Sequence, residues 1–435
     1  MKKTTHAVPA CLLAIGLISV SGTAPTLKAD TYDVNVNTGA FLLYTDPYNG
    51  NEIRLGGFSG LYPVPGQPDC FYTISDRGPA PDFVMPGPPP VTLKTWAIPN
   101  FGPHLITVRL MPNGTAKVDD VKPLKRPNGG HITGFPTTLP ATDVPFDFDL
   151  NQLPYDEDSL DAEGITIDPW GNFWICEEYK PSVAMIAPNG KVQLRLVPEG
   201  TVTGFEEVPT YGWLPAVLAK RRSNRGLEGI AAASDGILYS IMQRPLSNPN
   251  RAAGDSNGNT RLLAIDLNTL LHGGTAPLVR QFLYRIPVVP NNVTLSDLFS
   301  TAPGKVLVTE RATDKLYEAD VAGATDITPL ENAAGKVIAL PTKTIEQLTT
   351  ADLESLGIVP VTKTVVIDSL MAISPLMEKV EGVCVVGDTI VFTYDNDFNV
   401  AEAASIPLNP NPNGPFVQLE LLGANYPKIF TVPMP

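Results

Sequence analysis

Acidic residues recur at matching places in several short segments of this sequence. Three segments carry a glutamate followed by a glycine, and these glutamates are Glu163, Glu228 and Glu381. Other acids end the strand-like run that follows such a segment: Asp76, Glu178, Glu310 and Asp395. Carboxylates bind hard divalent cations and also move protons, so the pattern predicts metal-assisted or acid–base chemistry if these side chains meet in space.

Basic residues accompany the repeated acids. Arg77, Arg225 and Arg311 each lie within three residues of one of them, as do Lys180 and Lys379. Carboxylates packed together are electrostatically unfavourable unless cations or protons offset them, and Ca²⁺ is a cation that such oxygen ligands would hold. The alternative is a ring of salt bridges that only holds the strands together.

The elements that position these residues form an internal repeat. Five segments each contain an apolar strand-like run, a turn and a second run that ends in polar residues, and they begin near residues 57, 162, 227, 295 and 380. Glu163 and Glu228 are 65 residues apart, and Ser59 and Asp297 stand in for the glutamate in the two degenerate copies. Units of this length are stabilised by radial stacking. We therefore predict an all-β fold, a β-propeller of five or six blades, with a β-sandwich as the alternative.

Loops and short helices should interrupt this repeat. The 44 prolines and 36 glycines lie between short β-rich runs, as expected for many strands joined by turns. Residues 344–356 have apolar side chains at helical spacing and predict an inserted helix. Residues 41–45 are predicted to close the ring by pairing with strands near the C-terminus, since closure removes exposed sheet edges.

The first residues have the character of an export signal. Lys2 and Lys3 precede an apolar stretch that is too short to span a bilayer, and a cleavage site is plausible near residue 29. We expect a signal peptide at 1–29 and a single domain at 30–435, without a membrane span, in the periplasm or outside the cell. The domain would hold three cysteines, of which one pair could form a disulfide, and is expected to be a monomer.

Charge excludes one class of partner. With 45 acidic and 31 basic residues, the formal net charge of −14 disfavours binding to nucleic acid, which requires a basic surface. Other catalytic classes are poorly supported. The sequence has no Gly-x-Ser-x-Gly motif, and its four histidines have no metal-ligand spacing.

The repeated motifs also resemble a known family. Residues 75–78, 161–165, 224–230 and 380–383, ending in residues 394–397, are similar in order to a bacterial exported family called esterase-like activity of phytase. The resemblance implies a propeller and hydrolysis of phosphate esters. The fourth copy departs from the pattern, because it lacks the Glu-Gly pair.

These observations lead to one mechanistic hypothesis, a metal-dependent phosphoric ester hydrolase acting on a small anionic phosphate ester. The predicted ligands of Ca²⁺ are Glu163, Glu228, Glu381, Asp76, Glu310 and Asp395. Arg77, Arg225 and Arg311 would neutralise phosphate oxygens, a metal-bound water would attack phosphorus and Glu178 would accept its proton. The alternative is a non-catalytic propeller that binds a ligand or a protein partner.

Overall fold

A computed structural model describes residues 27–85, 87–140, 142–401, 417–423 and 425–435. Strands dominate the secondary structure, which confirms the prediction of a mostly β fold. Of the predicted signal peptide, only residues 27–29 are among the described residues, and the remainder of that prediction lies outside them. Among the helices that the structure describes, none is long and apolar enough to cross a membrane.

The strands group into antiparallel units in chain order. The chain enters through β1 (Asp30–Asn35), β2 (Leu42–Thr45) and β3 (Glu52–Arg54). The first unit contains β4 (Phe58–Pro63), β5 (Cys70–Ser75), β8 (His104–Leu110) and β9 (Thr115–Pro123). Beside it, β6 (Asp82–Met85), β7 (Val91–Trp96) and β10 (Pro145–Asp147) form a small separate sheet.

The second and third units follow without large insertions. The second contains β11 (Ala162–Ile167), β12 (Phe173–Glu177), β13 (Ser182–Ile186), β14 (Val192–Pro198) and β15 (Thr210–Leu214). The third contains β16 (Leu227–Ala232), β17 (Ile237–Met242), β18 (Asn259–Asp266) and β19 (Val279–Arg285). Its connections include the short helices α1 (Arg251–Asn257) and α2 (Leu267–Gly273).

The fourth and fifth units complete the series. The fourth contains β20 (Leu295–Ala302), β21 (Lys305–Glu310), β22 (Lys315–Asp320) and β25 (Thr362–Ile367), with β23 (Lys336–Val337), β24 (Leu340–Thr344) and α3 (Thr350–Leu356) inserted. The fifth contains β26 (Val380–Val386), β27 (Thr389–Tyr394) and β28 (Lys428–Pro433), and β1 pairs with its last strand.

The first strands of the units contact one another in a closed ring. In the described part of the chain, β4 contacts β26 and β11, β16 contacts β11 and β20, and β20 contacts β26. Apolar clusters fill the space between neighbouring units, as where Trp174 and Leu196 of the second unit join Leu263 of the third. Radial packing of antiparallel units around an axis is typical of a β-propeller.

Closure of the ring differs from the prediction. Residues 41–45 were expected to pair with C-terminal strands, and this prediction is wrong, because β2 pairs with β3. Instead β1 pairs antiparallel with β28 and parallel with β9. The first strand therefore joins the fifth unit to the first and covers the edges of both.

Two smaller predictions are also corrected. The inserted helix at 344–356 is two pieces, a 3₁₀ turn at Ile345–Gln347 and helix α3, because the Thr349 side chain caps a new helix start in a capping box with Asp352. Cys70, Cys176 and Cys384 are buried and free, so no pair among the described residues forms a disulfide.

Candidate functional site

A β-bulge lies near the start of every inner strand of the ring. The pairing with the second strand shifts register between Phe58 and Gly60, and at the corresponding places in β11, β16, β20 and β26. A bulge re-aims a side chain, and bulges are common beside functional sites. The residues at the bulge position in the five described units are Ser59, Glu163, Glu228, Ser296 and Glu381.

This alignment corrects one prediction. Asp297 was expected to replace the glutamate in the fourth copy, and the register shows that Ser296 does so instead. Ser296 still belongs to the site, because its hydroxyl donates a hydrogen bond of 2.7 Å to Glu381 Oε2. Asp297 occupies the position that glycine holds in the other copies.

A second set of equivalent positions lies immediately after the second strand of each described unit. The residues there are Asp76, Glu178, Gln243, Arg311 and Asp395. Besides burial, the charges of Glu178 and Asp76 raise the pKa of Glu163, and, against burial, the charges of Glu381 and Glu228 raise the pKa of Arg311. Residues of this set therefore lie close to the bulge residues. The predicted meeting of acids from distant parts of the chain at one place is therefore observed.

The tightest group of carboxylates is Asp161, Glu163 and Glu178. One oxygen of each lies within 4.8 Å of the others, which is a spacing that a single cation can bridge. Asp161 and Glu178 are each 1% exposed. Their backbones are also joined, because the Glu178 N–H donates to the Asp161 carbonyl at 3.2 Å. The donor chemistry fits a hard divalent cation such as Ca²⁺.

Several buried acceptor atoms beside this group lack a hydrogen-bond partner among the described residues. They are Glu178 Oε1, Glu228 Oε2 and the side-chain oxygen of Gln243. Buried polar atoms are nearly always bonded, because an unsatisfied acceptor loses its hydration without compensation. One of these atoms belongs to Glu178, a member of the three-carboxylate group, and this agrees with a cation site there.

Burial and like charge shift the titration of these groups. Burial, followed by the charge of Glu228, raises the pKa of Glu163 well above its ordinary value. Burial and the charge of Glu178 do the same to the pKa of Glu228. Burial raises the pKa of Glu178 to about 7, although Arg225 and a hydrogen bond with Glu228 oppose the rise. The interaction between the two side chains raises the pKa of Glu228 and lowers that of Glu178.

The remaining acids of the two sets surround this group. Burial raises the pKa of Asp76 and of Asp395 well above the ordinary value, with Asp161 and Asp397 as the next causes. Asp76 Oδ1 accepts the Gly78 N–H at 2.8 Å. Glu381 forms an ion pair with Arg311. We call the acids of the two sets, together with Asp161, the acidic mouth. Asp76, Asp395 and Glu381 belong to it but lie outside the three-carboxylate group.

Glu310 does not belong to the site. It is the last residue of β21, one residue before Arg311, and it is fully buried. It accepts a hydrogen bond of 2.8 Å from the Tyr284 hydroxyl and forms an ion pair with Lys363, and both partners are on outer strands. The structure therefore contradicts its prediction as a metal ligand.

The three predicted arginines lie at the mouth in different states. Arg77 donates to Asp161 Oδ2 at 2.8 Å and to the Tyr179 hydroxyl at 3.0 Å. Arg311 is paired with Glu381. Arg225 has no ion pair with any described carboxylate, and its guanidinium group donates to the Asn224 carbonyl at 2.5 Å. Arg225 is the guanidinium group least engaged by the protein's own acids.

A basic cavity adjoins the carboxylates. It has a volume of about 740 Å³ and is lined by Arg77, Arg225 and, further out, Arg222, Arg244 and Arg251. Among its described lining residues, seven carry positive and three carry negative side chains. Arg222, Arg244 and Arg251 share Asp255 as their counter-charge, at 2.8, 2.9 and 3.5 Å. Although the protein as a whole is acidic, this cavity would attract an anion.

Two members of the site were missed by sequence reasoning. Asp161 precedes Glu163 by two residues, and strand periodicity places such residues on one face, so this spacing could have identified it. Gln243 carries no charge and was passed over, and only its position after the second strand of a repeat could have revealed it.

The fold and the site together define a mostly β protein with a buried acidic centre beside a basic cavity. A family profile described as esterase-like activity of phytase matches residues 53–398. The match covers most of the sequence, and the chain belongs to this phytase-like family.

Solved structures show weaker similarity. Virginiamycin B lyase from Staphylococcus aureus is 11% identical, with 94% of this chain and 100% of that chain covered and a TM-score of 0.31. The periplasmic gluconolactonase from Pseudomonas aeruginosa is 11% identical, with 94% and 99% covered and a TM-score of 0.32. At these scores the similarity carries no argument about this chain. No match to a protein of curated function is found by sequence.

Proposed function

We propose that this protein is an exported, divalent-cation-dependent hydrolase of phosphate esters. The observation that carries the proposal is the group of Asp161, Glu163 and Glu178, whose oxygens lie within 4.8 Å of one another beside a basic cavity. Carboxylates and partly buried guanidinium groups that lie close together suit a ligand that engages a cation and arginines at once. Membership of the phytase-like family supports hydrolytic chemistry.

The three carboxylates would hold the cation, and Ca²⁺ is the ion that their oxygens favour. When bound, such an ion polarises a phosphate oxygen and offsets developing negative charge. Glu178 thereby changes its predicted role from proton acceptor to ligand, because one of its oxygens belongs to the three-carboxylate group and its Oε1 has no partner among the described residues. Glu381, Asp76 and Asp395 stay near it as outer acids.

Glu228, which was predicted as a metal ligand, lies outside the three-carboxylate group, and its proposed role is instead to move a proton. It is hydrogen-bonded to Glu178, and the charge of Glu178 is the next cause after burial of its raised pKa. When Glu178 is engaged by a cation, that like charge is offset and the pKa of Glu228 falls. Its Oε2 has no partner among the described residues and would accept the proton of an attacking water as the bond from phosphorus to the ester oxygen breaks.

The arginines would bind the phosphate. Arg225 lines the cavity and is not paired with any described carboxylate, so its guanidinium group can take two phosphate oxygens. Arg77 and Arg311 are held by Asp161 and Glu381 and would add charge from either side. The outer arginines around Asp255 keep an excess of positive charge and would contact another anionic part of the substrate.

The wider architecture is part of the proposal. We take the five described units as five blades and residues 30–435 as one domain. Cleavage near residue 29 would leave β1, which starts at Asp30, free to pair with β28 and close the ring. The expected compartment is the periplasm or the exterior, where Ca²⁺ is available to a site of carboxylates.

A chelator-controlled screen tests the function. Purified protein, stripped with chelator and then returned to Ca²⁺, Mg²⁺ or no metal, is assayed on phosphomonoesters, phosphodiesters and carboxylic esters. We expect hydrolysis of a phosphate ester that disappears with chelator and returns with Ca²⁺. Glu163→Gln should abolish it, whereas Asp368→Asn, a change at an exposed position outside the three-carboxylate group, should not.

The screen also separates the alternatives. Cleavage of carboxylic esters alone would overturn the assignment of phosphorus as the reacting centre. Tight binding of Ca²⁺ and of phosphate without turnover of any ester would favour a non-catalytic binding propeller. Hydrolysis that persists after complete removal of metal would exclude the role given to Asp161, Glu163 and Glu178.

A further inference from the structure

The inner strands meet on the axis at the position that follows each bulge. Glycine fills this position in four of the described units, and an aspartate fills it in the fifth: Gly60, Gly164, Gly229, Gly382 and Asp297. A Cβ atom on Gly60 would lie 2.6 Å from the Ile165 nitrogen, and one on Gly229 would lie 2.7 Å from the Leu298 nitrogen. The strands approach so closely that the other units leave no room for a side chain.

The Asp297 side chain occupies the space that these glycines leave. A Cβ atom on Gly164 would lie 2.6 Å from Asp297 Oδ1. Asp297 is 1% exposed, so its carboxyl group is sealed from solvent on the axis.

Backbone N–H groups from several strands converge on this carboxyl group. Asp297 Oδ2 accepts the Leu61 N–H at 3.2 Å, and Oδ1 accepts those of Ile230 at 3.3 Å and Leu298 at 2.8 Å. The Val383 N–H is a further donor. The donors belong to β4, β16, β20 and β26, so they are a product of the ring and not of one local turn.

We infer that the inner strands build an anion-binding site from backbone N–H groups on the axis, and that Asp297 is its built-in occupant. Converging backbone N–H groups bind anions because each carries a partial positive charge. The N–H groups donate to both side-chain oxygens of Asp297, and among side chains only a carboxylate offers two oxygens that both accept. Burial raises the pKa of Asp297 well above its ordinary value, and the N–H donors act against this rise.

Asp297 also positions the residues of the acidic mouth. Ile230 and Val383 lie two residues after Glu228 and Glu381, and Leu61 lies two residues after Ser59. Ser296, the neighbour of Asp297, donates to Glu381. Asp297 thus holds the ends of the bulges that aim the glutamates, and we assign it as a positioning residue. This second role rests on the proposed cation site, whereas the anion site does not.

The test is to empty the anion site and refill it. Asp297→Gly gives the fourth unit the residue that its equivalents have, and should lower the melting temperature by roughly 5 °C or more. Added formate, a small carboxylate, should restore a large part of that loss and leave the wild-type protein unaffected. Formamide, which is its neutral isostere, should restore nothing. Asp297→Asn should also be destabilised, because its amide N–H₂ faces backbone donors.

The outcomes separate the two roles. If formate and formamide act equally, or if Asp297→Asn is as stable as the wild type, the axis does not select an anion and the inference is overturned. Titration of Ca²⁺ into Asp297→Gly should show weaker binding that formate recovers. Rescue of stability without any Ca²⁺ binding in the wild type would keep the anion site and reject the proposed function instead.

Discussion

Two neighbouring glutamates in the second unit have opposite surroundings. Glu177 is the last residue of β12, and Glu178 follows it, and both are about 1% exposed. Glu177 accepts hydrogen bonds from the Tyr179 N–H at 2.7 Å and from Arg195 Nη2 at 2.9 Å. Glu178 faces the axis among other acids and keeps an oxygen without a partner.

The difference shows how one strand serves two purposes. Successive side chains of a strand alternate between its two faces. Glu177 therefore faces Arg195 of a neighbouring strand, which neutralises its charge, and Glu178 faces the acidic mouth. The fourth unit repeats this with Glu310, which pairs with Lys363, and Arg311, which reaches Glu381. In these two units the charge at the first position is paired within the fold, and the charge at the second position faces the acids around the axis.

The largest effect should come from the structural glutamate. Glu177→Gln leaves the buried Arg195 without its counter-charge, and breaking such a pair costs roughly 3–5 kcal/mol. Chemical denaturation should show this loss of unfolding free energy. Asp368→Asn, which removes an exposed partner of Lys315, is the control and should show no measurable change. If the Glu177→Gln protein were as stable as the wild type, Glu177 would not have the structural role that distinguishes it from Glu178.

The next effect concerns turnover. Glu228→Gln keeps the shape of the side chain but removes the group that accepts a proton, so Ca²⁺-dependent hydrolysis should fall by about 100-fold or more. Ca²⁺ affinity should change little, because Glu228 lies outside the three-carboxylate group. Steady-state kinetics and calorimetry measure the two quantities separately. Unchanged turnover would refute the role of Glu228.

Loss of an arginine should have a smaller effect. Arg225→Gln removes a guanidinium group that forms no ion pair with any described carboxylate, and KM for a phosphate ester should rise by about 10-fold. Arg109→Gln removes an exposed arginine paired with Asp119 and serves as the control. If both variants keep the wild-type KM, the basic cavity is not where the substrate binds.

The smallest effect is a dependence of stability on pH. The folded protein raises the pKa of Glu178 to about 7, and those of Glu163 and Glu228 well above ordinary. These groups favour the folded state below pH 4, and that contribution is lost as pH rises through their folded pKa values. The melting temperature of chelator-treated protein should therefore fall between pH 5 and pH 8, and Ca²⁺ should restore it most at pH 8. Glu178→Gln should flatten this dependence, and an equally steep curve for that variant would contradict the assignment.

Much of the architecture could be predicted because it repeats. The Glu-Gly pairs mark the bulges of three inner strands, and the glycine is required where strands crowd the axis, as Gly229 shows beside Leu298. Glu163, Glu178 and Glu228 were correctly expected to meet. The closing strand could not be identified from pattern alone, since residues 31–35 and 42–45 both read as short β-runs.

The wrong predictions for Asp297 and Glu310 have the same physical cause, an offset of one residue in the strand register. Asp297 was aligned with the glutamates because it is acidic, but a shift of one residue moves a side chain from the mouth to the axis. Glu310 was placed in the mouth by the same kind of one-residue error, since Arg311 is the true equivalent of Glu178. Strand pairing fixes such offsets, and the sequence does not state the pairing.

If Asp161, Glu163 and Glu178 form a cation site that Glu177 does not share, the two neighbouring glutamates must differ in their effect on Ca²⁺ binding. Calorimetric titration of Ca²⁺ into chelator-stripped wild type, Glu178→Gln and Glu177→Gln at pH 7.5 measures this difference. We expect binding to the wild type, a loss of about 100-fold or more in Glu178→Gln, and near-normal affinity in folded Glu177→Gln. Absence of binding to the wild type, or equal affinity in wild type and Glu178→Gln, would contradict the proposed cation site.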